Sequence, residues 1–324
     1  DINNDGAIDL MVTDGNRFSF LINRRSENGE NYVLPNPPRS PSVGIQFSGG
    51  WELADMNGDH LQDLVLIGAQ DEGGTFFHLS KGWGEFASRE KMTGGPEFIG
   101  SEGRGAYHLI DIDQDGLADL VMVDSGVVKV WFNTGTNRWS EPVVVREGVP
   151  DLEAKNTAVR FADMNGNGSV DIVWNNAPRT GQGPLVLQYL DFTPGAKPYQ
   201  LNLIDNGIGR SIQIEYRSSV DFMVAAYGTP QQWTSVIPFP VPVVSAFTVS
   251  DALGSHYRTE ILYRNGYYDG ARKEFRGFEY AETKEIGDAT QGAPSLVVAN
   301  GFNTGRDTEA LKGKLVWTES HSET

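Results

Sequence analysis

Four short stretches of this chain carry oxygen-bearing side chains at a spacing that can close on one hard cation. In the stretch from Ile110 to Gly126, Asp111, Asp113 and Asp115 alternate, Gly116 follows, and Asp119 comes next. Oxygens at positions 1, 3, 5 and 9 of a tight loop, with the carbonyl of position 7 (here Leu117), suit a calcium ion. Gly116 permits the sharp turn that gathers them. The pattern recurs as Asp1, Asn3, Asp5 and Asp9, as Asp55, Asn57, Asp59 and Asp63, and as Asp163, Asn165, Asn167 and Asp171. The expected ion is structural Ca2+.

Two other chemistries compete for this pattern. An EF-hand needs a bidentate Glu at position 12. Val12, Leu66, Met122 and Trp174 stand there, all apolar and in strand-like runs, so that reading fails. The other competitor is a plain polar turn, since Asp, Asn and Gly bond their own backbone and tolerate left-handed geometry. Four copies with one spacing weigh against it. The copies differ in charge: the third has four carboxylates and the fourth has two. Affinity follows ligand charge, so the third is expected to bind tightest and the fourth weakest. The first lacks a preceding strand and is expected to be weakened. His60 and His108 stand alone and read as ordinary surface or strand residues, which leaves a structural rather than a catalytic ion.

Each loop runs into an apolar strand, as at Leu120 to Val123. A second strand signal follows at Phe18 to Ile22, Thr75 to Leu79, Val127 to Phe132 and Leu185 to Leu190. The loops begin at Asp1, Asp55, Asp111 and Asp163, at intervals of 54, 56 and 52 residues. A β-rich repeat near fifty residues is blade-sized, and radially stacked four-stranded units make a propeller. Helical periodicity is weak throughout.

Composition narrows the function classes. The 324 residues suit two domains, and 39% hydrophobic content supports a folded core. The net charge of −17 argues against nucleic acid or an anionic membrane as partner. There is no cysteine, hence no disulfide or thiolate site. The longest apolar run, Val236 to Val249, is broken by Pro238, Pro240 and Pro242 and is too short to span a bilayer. The chain opens at Asp1, inside a repeat and without a leader, and reads as a piece of a longer protein.

After residue 191 the repeats stop. Residues 192–200 read as a Pro/Gly linker and 201–324 as a β-rich region. Leu201 to Ile204 and Ser211 to Tyr216 read as strands of a hairpin, turning at Asn206-Gly207 and Gly209. WTSVIPFPVPVVSAFTVSDALG reads as a proline-punctuated, edge-like stretch. Tyr257 to Tyr263 and Phe275 to Glu282 read as strands joined through Asn265-Gly266. Tyr267, Tyr268, Asp269, Arg272, Glu274 and Arg276 form a dense polar cluster. The favoured reading is a turn at Asp269-Gly270 with cross-strand Arg–Glu pairs, against a carboxylate active site. ARKEFR, from Ala271 to Arg276, reads as a solvated strand edge, and His256 as structural.

The loops resemble FG-GAP or VCBS repeats, the family of the integrin α-subunit propellers, in which calcium pins a loop and does no chemistry. NLIDNGIGRSIQIEY, WTSVIPFPVPVV and GYYDGARKEFRGFEY, in that order behind such repeats, resemble the B component of bacterial insecticidal toxin complexes (Tc toxins, SpvB/TcdB-like and related to RHS proteins). The resemblance implies an all-β chain: a partial propeller over 1–191, then an antiparallel sheet resembling the start of an RHS-type shell. It further implies a secreted, non-enzymatic scaffold that docks on a pore-forming A component and joins a C component carrying the toxic cargo. The alternative is a calcium-stabilised adhesion or ligand-binding propeller, integrin-like or lectin-like. A calcium-dependent propeller hydrolase is a third reading.

Overall fold

A computed structural model describes residues 2, 7–14, 17–23, 32–33, 51–68, 73–98, 106–150, 158–176, 186–195, 197–288 and 292–323. The chain divides into two compact units. One comprises Asp1–Phe161 and Asp171–Phe192, the other Ala162–Val170 and Thr193–Thr324. Among the described residues strands dominate, and every paired strand is antiparallel to its neighbour.

The repeats fold into successive small meanders. The first sheet holds β1 (Leu10–Asp14), β2 (Arg17–Asn23) and β3 (Tyr32–Val33). The second holds β4 (Trp51–Ala54), β5 (Asp63–Ile67), β6 (Thr75–His78) and β7 (Glu90–Lys91). The third holds β8 (Tyr107–Ile110), β9 (Asp119–Asp124), β10 (Val127–Trp131) and β11 (Val143–Val145). In the fourth, β12 (Ala158–Ala162), β13 (Asp171–Asn176) and β14 (Val186–Leu190) lie in order. The second, third and fourth acidic loops each join the first strand of a repeat to the next, and in all four repeats position 12 lies inside the strand that follows the loop. The apolar residues that exclude an EF-hand are therefore strand residues.

Alternation along β5 and β9 explains their continuous apolar sequence. Side chains of a strand point to opposite faces in turn. Leu120 and Met122 of β9 pack with Val65, Ile67 and Phe77 of the second sheet, while Val121 and Val123 pack with Ile172 and Trp174 of the fourth. Leu64 of β5 joins Phe20 of the first sheet. Both faces of each central strand are thus buried between neighbouring sheets. Trp139 locks the second and third repeats together: its backbone nitrogen donates to Thr93 at 2.9 Å. Gly95 has φ +78°, and a Cβ there would stand 2.6 Å from the Trp139 indole. Gly95→Ala is expected to cost about 2 kcal/mol in denaturant melts. Gly82→Ala is the control, because Gly82 shares φ +78° but has nothing within 4 Å. It is expected to cost about 1 kcal/mol, the backbone penalty alone.

The second unit is a seven-stranded meander in chain order. It holds β15 (Leu203–Asp205), β16 (Ser211–Ser218), β17 (Pro242–Ser250), β18 (His256–Asp269), β19 (Glu274–Glu285), β20 (Ser295–Asn303) and β21 (Lys314–Glu323). The β15–β16 hairpin closes as expected: Asn206 Oδ1 accepts from the nitrogens of Ile208 and Arg210, both at 2.9 Å. Three expectations change. The proline-rich stretch ends in β17, which pairs with β16 and β18 and is not an edge. Pro242 is tolerated because it is the first residue of that strand. Asn265-Gly266 is no turn; it lies inside β18 in register with β19, the register shifts between Gly266 and Tyr268, and the chain reverses at Gly270 to Lys273. Asn265 takes φ +55° and accepts from the Thr234 nitrogen at 2.8 Å. A Cβ on Gly266 would meet Ile237 at 2.2 Å. Finally, a short helix α1 (Ser219–Ala226) follows β16. Its signal was present as Ser218 three residues before Asp221, and Ser218 Oγ accepts from the Val220 nitrogen at 3.2 Å.

Candidate metal centre

In the third loop the strand ends β8 and β9 hold a tight turn with Gly116 at φ +94°. The side chains are set by backbone bonds: Asp111 accepts from the Gly116 nitrogen at 3.1 Å, Asp113 from Asp115 at 3.2 Å, and Asp115 from Leu117 at 2.8 Å. Ligand oxygens of Asp111, Asp113 and Asp115 lie within 4.8 Å of one another. Asp111 Oδ1 is buried without a hydrogen-bond donor. Burial raises the Asp111 and Asp115 carboxyls above the usual carboxylate range, and neighbouring aspartates add to the rise. An orphaned acceptor among mutually repelling carboxylates fits a hard cation.

Position 9 has a further duty. Asp119 is fully buried, with Oδ2 accepting from the Ile112 nitrogen at 3.2 Å and Oδ1 from the Asn133 nitrogen at 2.8 Å. Asp63 repeats this with Met56 at 2.8 Å and Ser80 at 2.7 Å, and Asp9 with Ile2 and Asn23, both at 2.7 Å. This carboxylate staples the loop to a later strand end, and each oxygen keeps a second lone pair. The sequence pattern did not disclose the staple, because the partners are backbone amides up to seventeen residues away.

The other loops share the turn. Asp55 accepts from Gly58 and His60, both at 2.7 Å, and Asp59 from Leu61 at 2.8 Å. Asn57 donates to Asp59 at 3.0 Å, which ties up one carboxylate oxygen. Asp163 accepts from Gly166 at 2.7 Å and Gly168 at 2.9 Å, Asn165 from Asn167 at 3.0 Å, and Asn167 from Ser169 at 2.6 Å. Asp171 is fully buried. Asp1, Asn3 and Asp5 lie outside the described residues.

Burial pushes Asp63 up to about 6 and Asp119 up to about 8. A carboxyl raised in the folded state binds more protons folded than unfolded, so stability falls as pH rises through the gap. His78 and His108, lowered by burial, act in the opposite sense, but only below about 6.5. In chelator, the melting temperature is therefore expected to fall between about pH 7 and 8.5, and added calcium to flatten that slope.

The polar cluster of the second unit is a charge lock. Arg276, expected in a solvated edge, is buried. It pairs with Asp269 at 3.0 Å, Glu274 at 3.5 Å and Glu309 at 2.6 Å, and donates to the Gly305 carbonyl. Arg272 pairs with Asp269 at 3.0 Å, and Lys312 with Glu274. The Asp269 carboxyl is held below its usual range by the Arg272 amide and guanidinium. The turn falls where expected, but the pairs differ: across β18 and β19 Arg276 meets Asp269, and its glutamate partners are Glu274 on its own strand and Glu309 after β20.

No curated protein sequence matches this chain. The FG-GAP-like repeat family matches residues 1–66, and the insecticide toxin TcdB middle/N-terminal region matches residues 132–299. The solved Photorhabdus luminescens Tc holotoxin pore is 23% identical over 92% of this chain, with a TM-score of 0.75. The crystal structure of TcdB2-TccC3 is 24% identical over 83%, with a TM-score of 0.68. That of TcdB2-TccC3-TEV is 20% identical over 97%, with a TM-score of 0.69. The chain spans 14%, 13% and 17% of those chains, respectively, and at such identities the likeness is one of fold. The match over residues 132–299 takes in more than half of the sequence, and the chain belongs to the insecticide toxin TcdB middle/N-terminal family.

Proposed function

We propose that this chain is a non-enzymatic scaffold, docking and gating segment of a secreted bacterial toxin complex. Its repeats are blades of a β-propeller, and structural calcium fastens their loops. The carrying observation is the match to the TcdB region over residues 132–299, which runs from the third repeat into the seven-stranded meander. The burial of β9 on both faces supports the blade reading. The partners are a pore-forming A component and a C component with RHS-type sequence and toxic cargo. The clustered carboxylates of Asp111, Asp113 and Asp115 support calcium in the third loop. Asp55, Asn57, Asp59 and Asp63, and Asp163, Asn165, Asn167 and Asp171, are the equivalent ligands of the second and fourth loops. Asp1, Asn3, Asp5 and Asp9 take that role in the first. No step of catalysis is assigned, since Asp269 and Glu274 are engaged by Arg272, Arg276 and Lys312.

The test is co-expression of the full-length protein that carries this chain with an RHS-type partner. Co-elution as one assembly is expected. Separate elution of two folded proteins would sink the reading.

A further inference from the structure

We propose that a recess on the second unit, formed by β18 to β21, binds a neutral pyranose sugar. Tyr280, Gly301 and Trp317 are register partners on adjacent strands, so they share one face of the sheet. A Cβ built on Gly301 would stand 2.1, 2.4 and 2.7 Å from Nε1, Cε2 and Cδ1 of Trp317. Near-equal distances to three atoms of one ring mean that the indole lies face-down on the glycine. Its opposite face points outward, and Trp317 is 44% exposed. Tyr280 packs beside it, with centroids 6.0 Å apart. Trp317 thus fills the place of the missing Gly301 side chain and also offers a flat apolar platform over a recess of about 430 Å³. That volume lies within the roughly 300–1,000 Å³ of small-molecule sites.

The rim decides the ligand class. Arg306 is paired with Glu279 at 3.4 Å and stacked on Tyr267 at 4.6 Å. Arg264 sits 4.5 Å over Tyr280, and Asp307 is exposed at the mouth. Arg306 and Glu279 pair off, the exposed Asp307 disfavours an anion, and Arg264 over the Tyr280 ring disfavours a cation, so a neutral ligand is favoured. A wholly apolar ligand leaves the carboxylate and guanidinium rim unmatched. A pyranose satisfies both parts: its C–H face packs on the indole, and its hydroxyls meet the Asp307, Arg306 and Asn303 groups.

Saturation-transfer NMR of the full chain with methyl glycosides of glucose, galactose, mannose and N-acetylglucosamine tests this. At least one glycoside is expected to bind with a Kd of about 1–10 mM. Trp317→Ala is expected to abolish the signal and Asp307→Ala to weaken it about tenfold. Asp307 is exposed, so its variant keeps the fold and the test stays decisive if Trp317→Ala does not. The proposal is overturned if no glycoside binds the folded chain. Binding that survives both substitutions overturns it, and so does choline or sialic acid binding in place of the neutral sugars.

Discussion

Asp119→Ala lowers the stability of the repeat half by about 3–4 kcal/mol, and does so with calcium absent. The reason is the staple rather than the ion. Asp119 is fully buried and satisfies the amides of Ile112, in the loop, and of Asn133, beyond the end of β10. Alanine leaves two buried donors without an acceptor, each costing about 1–3 kcal/mol. Asp119→Asn keeps one acceptor and leaves one donor unmatched, so in chelator it is expected to cost about half as much, roughly 1–2 kcal/mol. Urea melts of the two variants in chelator check the contrast. No loss for either variant in chelator would show that the carboxylate matters only through an ion.

Withdrawing calcium has the other large effect. A ligand present at a hundredfold its Kd adds about 2.7 kcal/mol per site. Emptying more than one loop is therefore expected to lower the melting temperature by roughly 10 °C or more. The third loop should dominate, because Asp111, Asp113 and Asp115 are already gathered and Asp111 Oδ1 lacks a donor. In the second loop Asn57 already donates to Asp59, and in the fourth Asn165 and Asn167 replace carboxylates. Calorimetry with and without chelator is expected to show the largest loss of calcium stabilisation for Asp111→Ala and the smallest for Asp163→Ala. Equal losses across the loops contradict that order.

Much of the fold could be read because its signals are local. A loop of fixed spacing followed by an apolar run declared β5, β9 and β13, and the turn residues declared the β15–β16 hairpin. What escaped depends on contacts distant in sequence. Asn265-Gly266 has the chemistry of a turn, yet the segment from Thr234 to Ile237 packs against it and it runs on inside β18. Arg276 looked solvated because Asp269 reaches it only across the β18–β19 turn, and Glu309 only when β19 meets the loop after β20. Helix α1 escaped for another reason: eight residues are too few to show a periodicity, and only the Ser218 cap betrays it. In the candidate site the spacing marked the aspartates that the third loop gathers, and the stapling by position 9 became visible only with the backbone in place.

The most direct test is an electron cryo-microscopy map of the full-length protein assembled with its RHS-type partner. The predicted result places residues 51–192 in propeller blades, with density for an ion in the Asp111 loop, and residues 201–323 in the wall of a shell. A map in which this chain forms a free adhesive head, with no partner sheet continuing its meander, contradicts the account.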